Sequence, residues 1–129
     1  RYGAIIVNVK IIISAGYNGA PRGEANCIDT GMCERERLHV PKGQNYELCV
    51  AVHAEQNAII QAAKLGSSID GATLYCTHQP CVICAKMIVN SGINRVVYQH
   101  GYPDDFALEM LKEGGAFGNL PDTSQVSLF

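Results

Sequence analysis

The sequence predicts an α/β domain, a three-layer sandwich with one central mixed β-sheet. Three observations predict it. Two β-branched runs, Ala4–Val7 and Ile11–Ser14, stand close enough to pair as a hairpin. From residue 53 onward, helical and strand-like patterns alternate. The order strand, helix, strand, helix, strand implies right-handed crossovers between parallel neighbours, and the hairpin makes the sheet mixed.

The 129 residues suit one core, so residues 1–129 are read as a single domain. Hydrophobic residues at 47% and charged residues at 17% give an ordinary globular balance. The formal net charge of −2 supplies no overall positive field for a nucleic acid polymer. No apolar run approaches the ~18 residues expected of a membrane helix. The chain opens at Arg1 with no signal-peptide pattern, and part of an N-terminus is expected to be missing. Six cysteines are many for this length, yet a core of this size needs no disulfide staples. A C-x-x-C spacing points instead to metal thiolates in a reducing compartment, with the cytoplasm as the natural assignment.

The hairpin connection "NVK" (Asn8–Lys10) is poor in turn residues, which suggests that a residue or two is absent there. "GYNGAPRG" (Gly16–Gly23) reads as an irregular loop. Residues Glu24–Leu48 are polar, carry cysteines, and read as a long insertion. After His53, the spacing of Ala54, Ala58, Ala62 and Leu65 predicts a helix capped by Gly66. Ala72–Thr77 reads as a strand. Pro80 sits where prolines begin helices, and Cys81–Ser91 reads as a helix ended by Gly92. "NRVVYQ" is the next strand. Asp104 and Asp105 open a helix near Phe106–Lys112, closed by Gly114 and Gly115. The tail after Ala116 is uninformative, with a last strand expected at its end.

Chemistry concentrates in "VHAEQNAI" and "THQPCVICAK". Cys81 and Cys84, three apart at a helix start, can meet one point, where unpaired N–H groups favour thiolates. His53 opens another helix and can supply a third ligand. Three protein ligands leave the fourth tetrahedral position open, which separates a catalytic zinc from a closed structural one. Glu55 lies two residues beyond His53. At a first turn it can face the object that His53 holds, and there take a proton from an attacking water. Each part has a bland reading: a lone histidine is more often a cap or core residue, and a lone C-x-x-C can be a redox pair. A redox pair would leave His53 and Glu55 without a role.

The H-x-E…P-C-x-x-C arrangement is the signature of the zinc nucleobase deaminases. Through "GYNGAPRG", "HAEQNAI", "GATLYCTHQPCVICAKMIVNSGINRVVY" and "YPDD", the chain resembles the cytidine deaminase superfamily, and within it the deoxycytidylate (dCMP) deaminases. The resemblance runs from Tyr2 to about Gly115. It implies a five-stranded sheet, zinc on His53, Cys81 and Cys84, Glu55 as proton shuttle, and Asn18 near the substrate sugar. Arg22, in the glycine-rich loop, is a candidate for the nucleotide phosphate. It further implies dCMP as substrate, a homo-oligomer (commonly a hexamer), dCTP and dTTP as effectors, and Mg2+ with a regulatory nucleotide. Two departures stand out. The family's usual first helix is missing, and Cys76 replaces an aliphatic residue, which we read as a small buried hydrophobe.

Cys27, Cys33 and Cys49 are either ordinary loop cysteines or ligands of a second, structural zinc, with His39 or a cysteine on the missing helix as the fourth. His78 is placed beside the pocket and His100 at the surface. Tyr98 reads as packing, and Tyr102 as a residue that could close over a base or phosphate. Two other functions stay open: deamination of another base, such as tRNA adenosine or guanine, and a non-catalytic zinc-binding domain of the same fold. A tRNA enzyme would want a basic surface. A structural site would not require Glu55.

Overall fold

The computed structural model describes residues 2–19, 22–23, 52–101 and 104–118. Strands β1 (Gly3–Asn8) and β2 (Ile11–Tyr17) form the expected hairpin, with Asn8 opposite Ile11. The connection is complete in two residues, so the expectation of a gap there fails. Val9 and Lys10 take φ values of 49° and 65°, the mirror-image turn that matches strand twist. Asn and Gly usually fill such turns because other residues meet a penalty of about 1–2 kcal/mol each. Here a β-branched valine accepts it.

The sheet has the order β2-β1-β3-β4-β5, with β3 (Thr73–His78), β4 (Arg95–His100) and β5 (Phe117–Gly118). β1 is antiparallel to both β2 and β3, while β3, β4 and β5 are parallel. Four strands are full length. The fifth, among the described residues, is a two-residue pairing directly after Ala116, and the strand expected at the end of the tail lies outside the described residues.

Helix α1 (Ala54–Leu65) packs on β1 and β2, and α2 (Val82–Ser91) lies between α1 and α3 (Asp105–Glu113). These contacts make one layer. Alternate strand residues Ala4, Ile6, Leu74, Cys76, Val96 and Tyr98 face it and share a core with Ala58, Ala62, Ala85, Ile88, Ala107 and Leu111. The described part is therefore two-layered. A layer on the other sheet face, which a sandwich of three requires, has no helix among the described residues, and Ile5, Val7 and Tyr75 are half-buried there.

Local chemistry sets the helix ends. Asp104 accepts from the Ala107 N–H at 3.0 Å, the N-cap that the acidic pair announces. Gly66 and Gly92 close α1 and α2 with φ of 71° and 86°. Leu65 shares the azimuth of Ala54 but is 63% exposed, because the core covers α1 only as far as Ala62. Pro80 is fully buried and Cys81 is the N-cap residue, so α2 begins at Val82 rather than at Cys81.

Candidate metal centre and active site

Right-handed β–α crossovers carry the carboxyl end of each strand into the start of a helix, so the starts of α1 and α2 meet at one end of the sheet. His53 is the N-cap residue of α1, and Cys81 is that of α2. Their donor atoms and Cys84 Sγ all lie within 4.8 Å of one another. His53 Nδ1 stands 3.3 Å from Cys84 Sγ and 3.5 Å from Cys81 Sγ. A tetrahedral zinc with ordinary Zn–N and Zn–S bonds spaces such a pair about 3.6 Å apart. The donor set fits zinc in type and in spacing.

The starts of both helices are fixed by carboxamides and packing that the motif does not announce. Asn18 Oδ1 accepts the Ala54 N–H at 2.7 Å, and Gln56 Oε1 accepts the His53 N–H at 2.9 Å. Asn57 Nδ2 donates to the Tyr17 carbonyl at 2.8 Å, tying β2 to α1. Gly16 lets the two approach, since a Cβ there would lie 2.5 Å from the Ala54 carbonyl oxygen. On the other side, buried Gln79 donates from Nε2 to the Asp104 carbonyl at 3.0 Å, linking the loop before α2 to α3. None of these contacts has a sequence-local signal except Gln56, which stands three residues after the cap.

Burial decides the electrostatics. Glu55 is 6% exposed, and loss of solvent pushes its carboxyl up to about 7, opposed by a hydrogen bond with Cys84 and by His53. The Cys84 thiol donates to Cys81, which lowers Cys81 to about 4, with His53 and the Cys84 N–H assisting against desolvation. Cys84 is pushed up by the same bond and by burial. Without metal, then, the pair shares one proton. Cys76 lies beneath, fully buried, its thiol held up by desolvation and by Glu55, as expected of an inert small hydrophobe.

Asn18 is thus drawn to the site, with its carboxamide oxygen used on α1. Arg22 is exposed, and no contact among the described residues brings it to the metal ligands. Tyr98 is 4% exposed and packs in the core. His100 is exposed, and His78 is half-buried. Cys27, Cys33, His39, Cys49 and Tyr102 lie outside the described residues. At the same end of the sheet an open cleft of about 840 Å³ is lined by Tyr2, Tyr17, Thr77, His78, Gln99 and His100.

Two cysteines, one histidine and a buried glutamate at two helix starts are the parts of the zinc nucleobase deaminases. Residues 1–100 match the cytidine and deoxycytidylate deaminase zinc-binding region, and the chain belongs to that family. It is 43% identical over 104 residues to the deoxycytidylate deaminase of Mycobacterium phage D29, covering 76% of this chain and 77% of that one. The deoxycytidylate deaminase of Saccharomyces cerevisiae is 37% identical over 118 residues, covering 89% of this chain and 36% of that one. The crystal structure of dCMP deaminase from the cyanophage S-TIM5, in complex with dCMP and dUMP, superposes with a TM-score of 0.74 at 35% identity. That match covers 92% of this chain and 79% of that one. The chain spans between 35% and 56% of the length of three other-sized relatives, from Bacillus subtilis and two yeasts.

Proposed function

We propose that this chain carries the catalytic site of a zinc-dependent deoxycytidylate deaminase, which hydrolyses dCMP to dUMP and ammonia and so feeds dTMP synthesis. The observation that carries the reading is Glu55, buried against a three-donor metal cluster that does not need it as a ligand. The substrate rests on the relatives, several of which are deoxycytidylate deaminases.

His53, Cys81 and Cys84 would hold the zinc, which supplies a Lewis acid that lowers the pKa of the attacking water. Glu55 takes the proton that water loses as its oxygen bonds to C4 of cytosine, and delivers it to ring N3. The water's second proton, carried by the same carboxylate from the new C4 hydroxyl to the exocyclic amine, lets the C–N bond break as the C4 carbonyl forms and ammonia leaves. A carboxyl that burial makes slow to give up its proton is suited to both directions of transfer. Asn18 holds the start of α1 through Oδ1 and presents its amide toward the sugar. Arg22 is assigned to the phosphate on its place in the glycine-rich loop.

The rest of the reading follows from the resemblance. It includes a full fifth strand and third layer, a homo-oligomer of hexameric type, dCTP and dTTP as effectors with Mg2+, and a cytoplasmic location. A second zinc on Cys27, Cys33 and Cys49 is supported by their clustering around one insertion, and metal analysis finding two zinc ions per chain would bear it out.

The test is an ammonia-release screen against dCMP, deoxycytidine, cytidine, cytosine, dCTP, adenosine and guanine. Turnover of dCMP well above deoxycytidine is expected. Activity confined to a purine, or no activity in zinc-loaded protein, overturns the reading.

A further inference from the structure

One buried carboxamide stands two residues before a metal ligand. Among the described residues, the polar side chains buried this deeply are Ser14, Glu55, Thr77 and Gln79. Gln79 is 6% exposed, and a carboxamide so placed has to find its hydrogen bonds inside the protein. Its backbone N–H donates to the His100 carbonyl at 2.8 Å, one rung past the His78–His100 pair of the β3–β4 ladder. Its Nε2 donates to the Asp104 carbonyl at 3.0 Å. The helical bond to that same carbonyl, from the Leu108 N–H, is long at 3.4 Å. One residue thus holds both the end of β4 and the start of α3.

From Gln79 to Cys81 the chain has little freedom. Pro80 fixes its own φ and keeps the residue before it extended. It is fully buried as well, so packing holds it in place. Cys81 is extended in turn, with φ −73° and ψ 172°, and its carbonyl accepts the Ala85 N–H at 2.8 Å as α2 begins. Where Gln79 is pinned, Cys81 follows. His53 is held from the other side, through Asn18 on Ala54 and through Asn57 on Tyr17 of the β2 edge. Donors that lie within 4.8 Å of one another are therefore set by two frames, β2 for His53 and β4 with α3 for Cys81. Metal–ligand bonds tolerate errors of only about 0.2 Å, so a loosened frame is read directly as lost affinity.

We infer, on the zinc-deaminase reading above, that Gln79 is a positioning residue for the metal: its carboxamide seats Cys81 by tying it to the start of α3. Gln79 is not itself a ligand and acts through Cys81. Coupling between two sites is reciprocal, so the support that α3 lends to zinc binding is returned to α3 when zinc binds.

The test compares reduced wild type with Gln79→Met, which fills the same buried space without a donor. Zinc affinity, measured by competition with a chelating dye, should fall by about 10–100-fold, the usual effect of losing a group that orients a ligand. Cobalt put in place of zinc gives a signature that lost stability alone does not move. Its visible bands report ligand geometry and should shift in Gln79→Met. Ser91→Ala, which removes a hydrogen bond to the Ile88 carbonyl at the far end of α2, is the control and should leave both affinity and bands unchanged. Zinc held equally by wild type and Gln79→Met, cobalt bands that stay in place, or the same loss in Ser91→Ala overturns this inference alone. Should Gln79→Met fail to fold, hydrogen exchange on the wild type decides. Zinc should slow the Gln79, Ala107 and Leu108 amides more than those of Lys112 and Glu113 at the other end of α3. Equal exchange with and without zinc at the first three overturns the inference. Wild-type protein that takes up no zinc sinks it together with the deaminase reading.

Discussion

The two helix starts that meet at the metal site are built by opposite means. At α1 the exposed N–H groups are taken by neutral carboxamides, Asn18 on Ala54 and Gln56 on His53. At α2 no side chain among the described residues caps the turn, and its first turn holds no acidic residue. The Cys81 sulfur faces the Cys84 N–H instead, beside a fully buried Pro80. One end is oriented by hydrogen bonds and presents an imidazole. The other is oriented by burial and keeps its positive dipole end for anions. The difference teaches that ligand charge and the means of holding it are matched: the thiolates are stabilised by the helix start they occupy, and the histidine has that influence satisfied before it reaches the ring.

The largest test removes a buried cysteine. Cys84→Ala should abolish the zinc content and the activity together. Full metal occupancy in that variant, by elemental analysis, would show that the α2 end is dispensable.

Next in size is Glu55→Ala, which should keep its zinc and lose about 10²–10⁴-fold in kcat. A companion measurement uses the pH dependence of stability in chelator-treated, reduced protein. Folding raises Glu55 from 4.5 to about 7, so the folded state binds the extra proton and stability falls as pH rises through that window. The fall is about 3 kcal/mol in all. Cys81, lowered from 9.0 to about 4, has the opposite sign and adds stability as pH rises between those values. The two slopes offset between pH 4.5 and 7. Glu55→Gln removes one of them, and its thermal midpoint should climb with pH across that window while the wild type stays nearly level. Parallel curves would remove Glu55 from the buried titration.

A smaller effect lies at the α1 end. Asn18→Ala strips the cap from Ala54 and should cost about 1 kcal/mol of stability, typical of a lost N-cap contact. The zinc content should hold while KM for dCMP rises, read by denaturant melts and steady-state rates. Metal loss here would mean that His53 depends on this one carboxamide. Smallest is a control far from both helix starts. Val9→Asn with Lys10→Gly suits the left-handed turn and should stabilise by roughly 1 kcal/mol, with kcat unchanged.

The metal triad was legible in the sequence because each half is local. A histidine before a helical alanine pattern and a Pro-Cys-x-x-Cys before another place donors at helix starts with no knowledge of the fold. The alternation after residue 53 likewise gave the parallel strands. What escaped was tertiary or unusual. Asn57 reaches back to Tyr17, and Gln79 across to Asp104, along no sequence period. Val9–Lys10 turns without turn residues, and Leu65 keeps the helical spacing past the end of the core. Thr77 looked like any strand threonine until the Gly3 N–H and the His78 ring were found on its hydroxyl.

Gly16 has a consequence of another kind. A methyl group at this position would lie 2.5 Å from both the Ala54 oxygen and the Ala58 nitrogen, so strand and helix touch through their main chains. Such a contact has no rotamer to adjust. The edge strand and the first turn of α1 are locked like two gear teeth, and His53 travels with them. One added carbon at this point would push helix from strand and carry His53 with the helix. The gauge that sets where His53 stands is a missing side chain, a dimension held by leaving it empty.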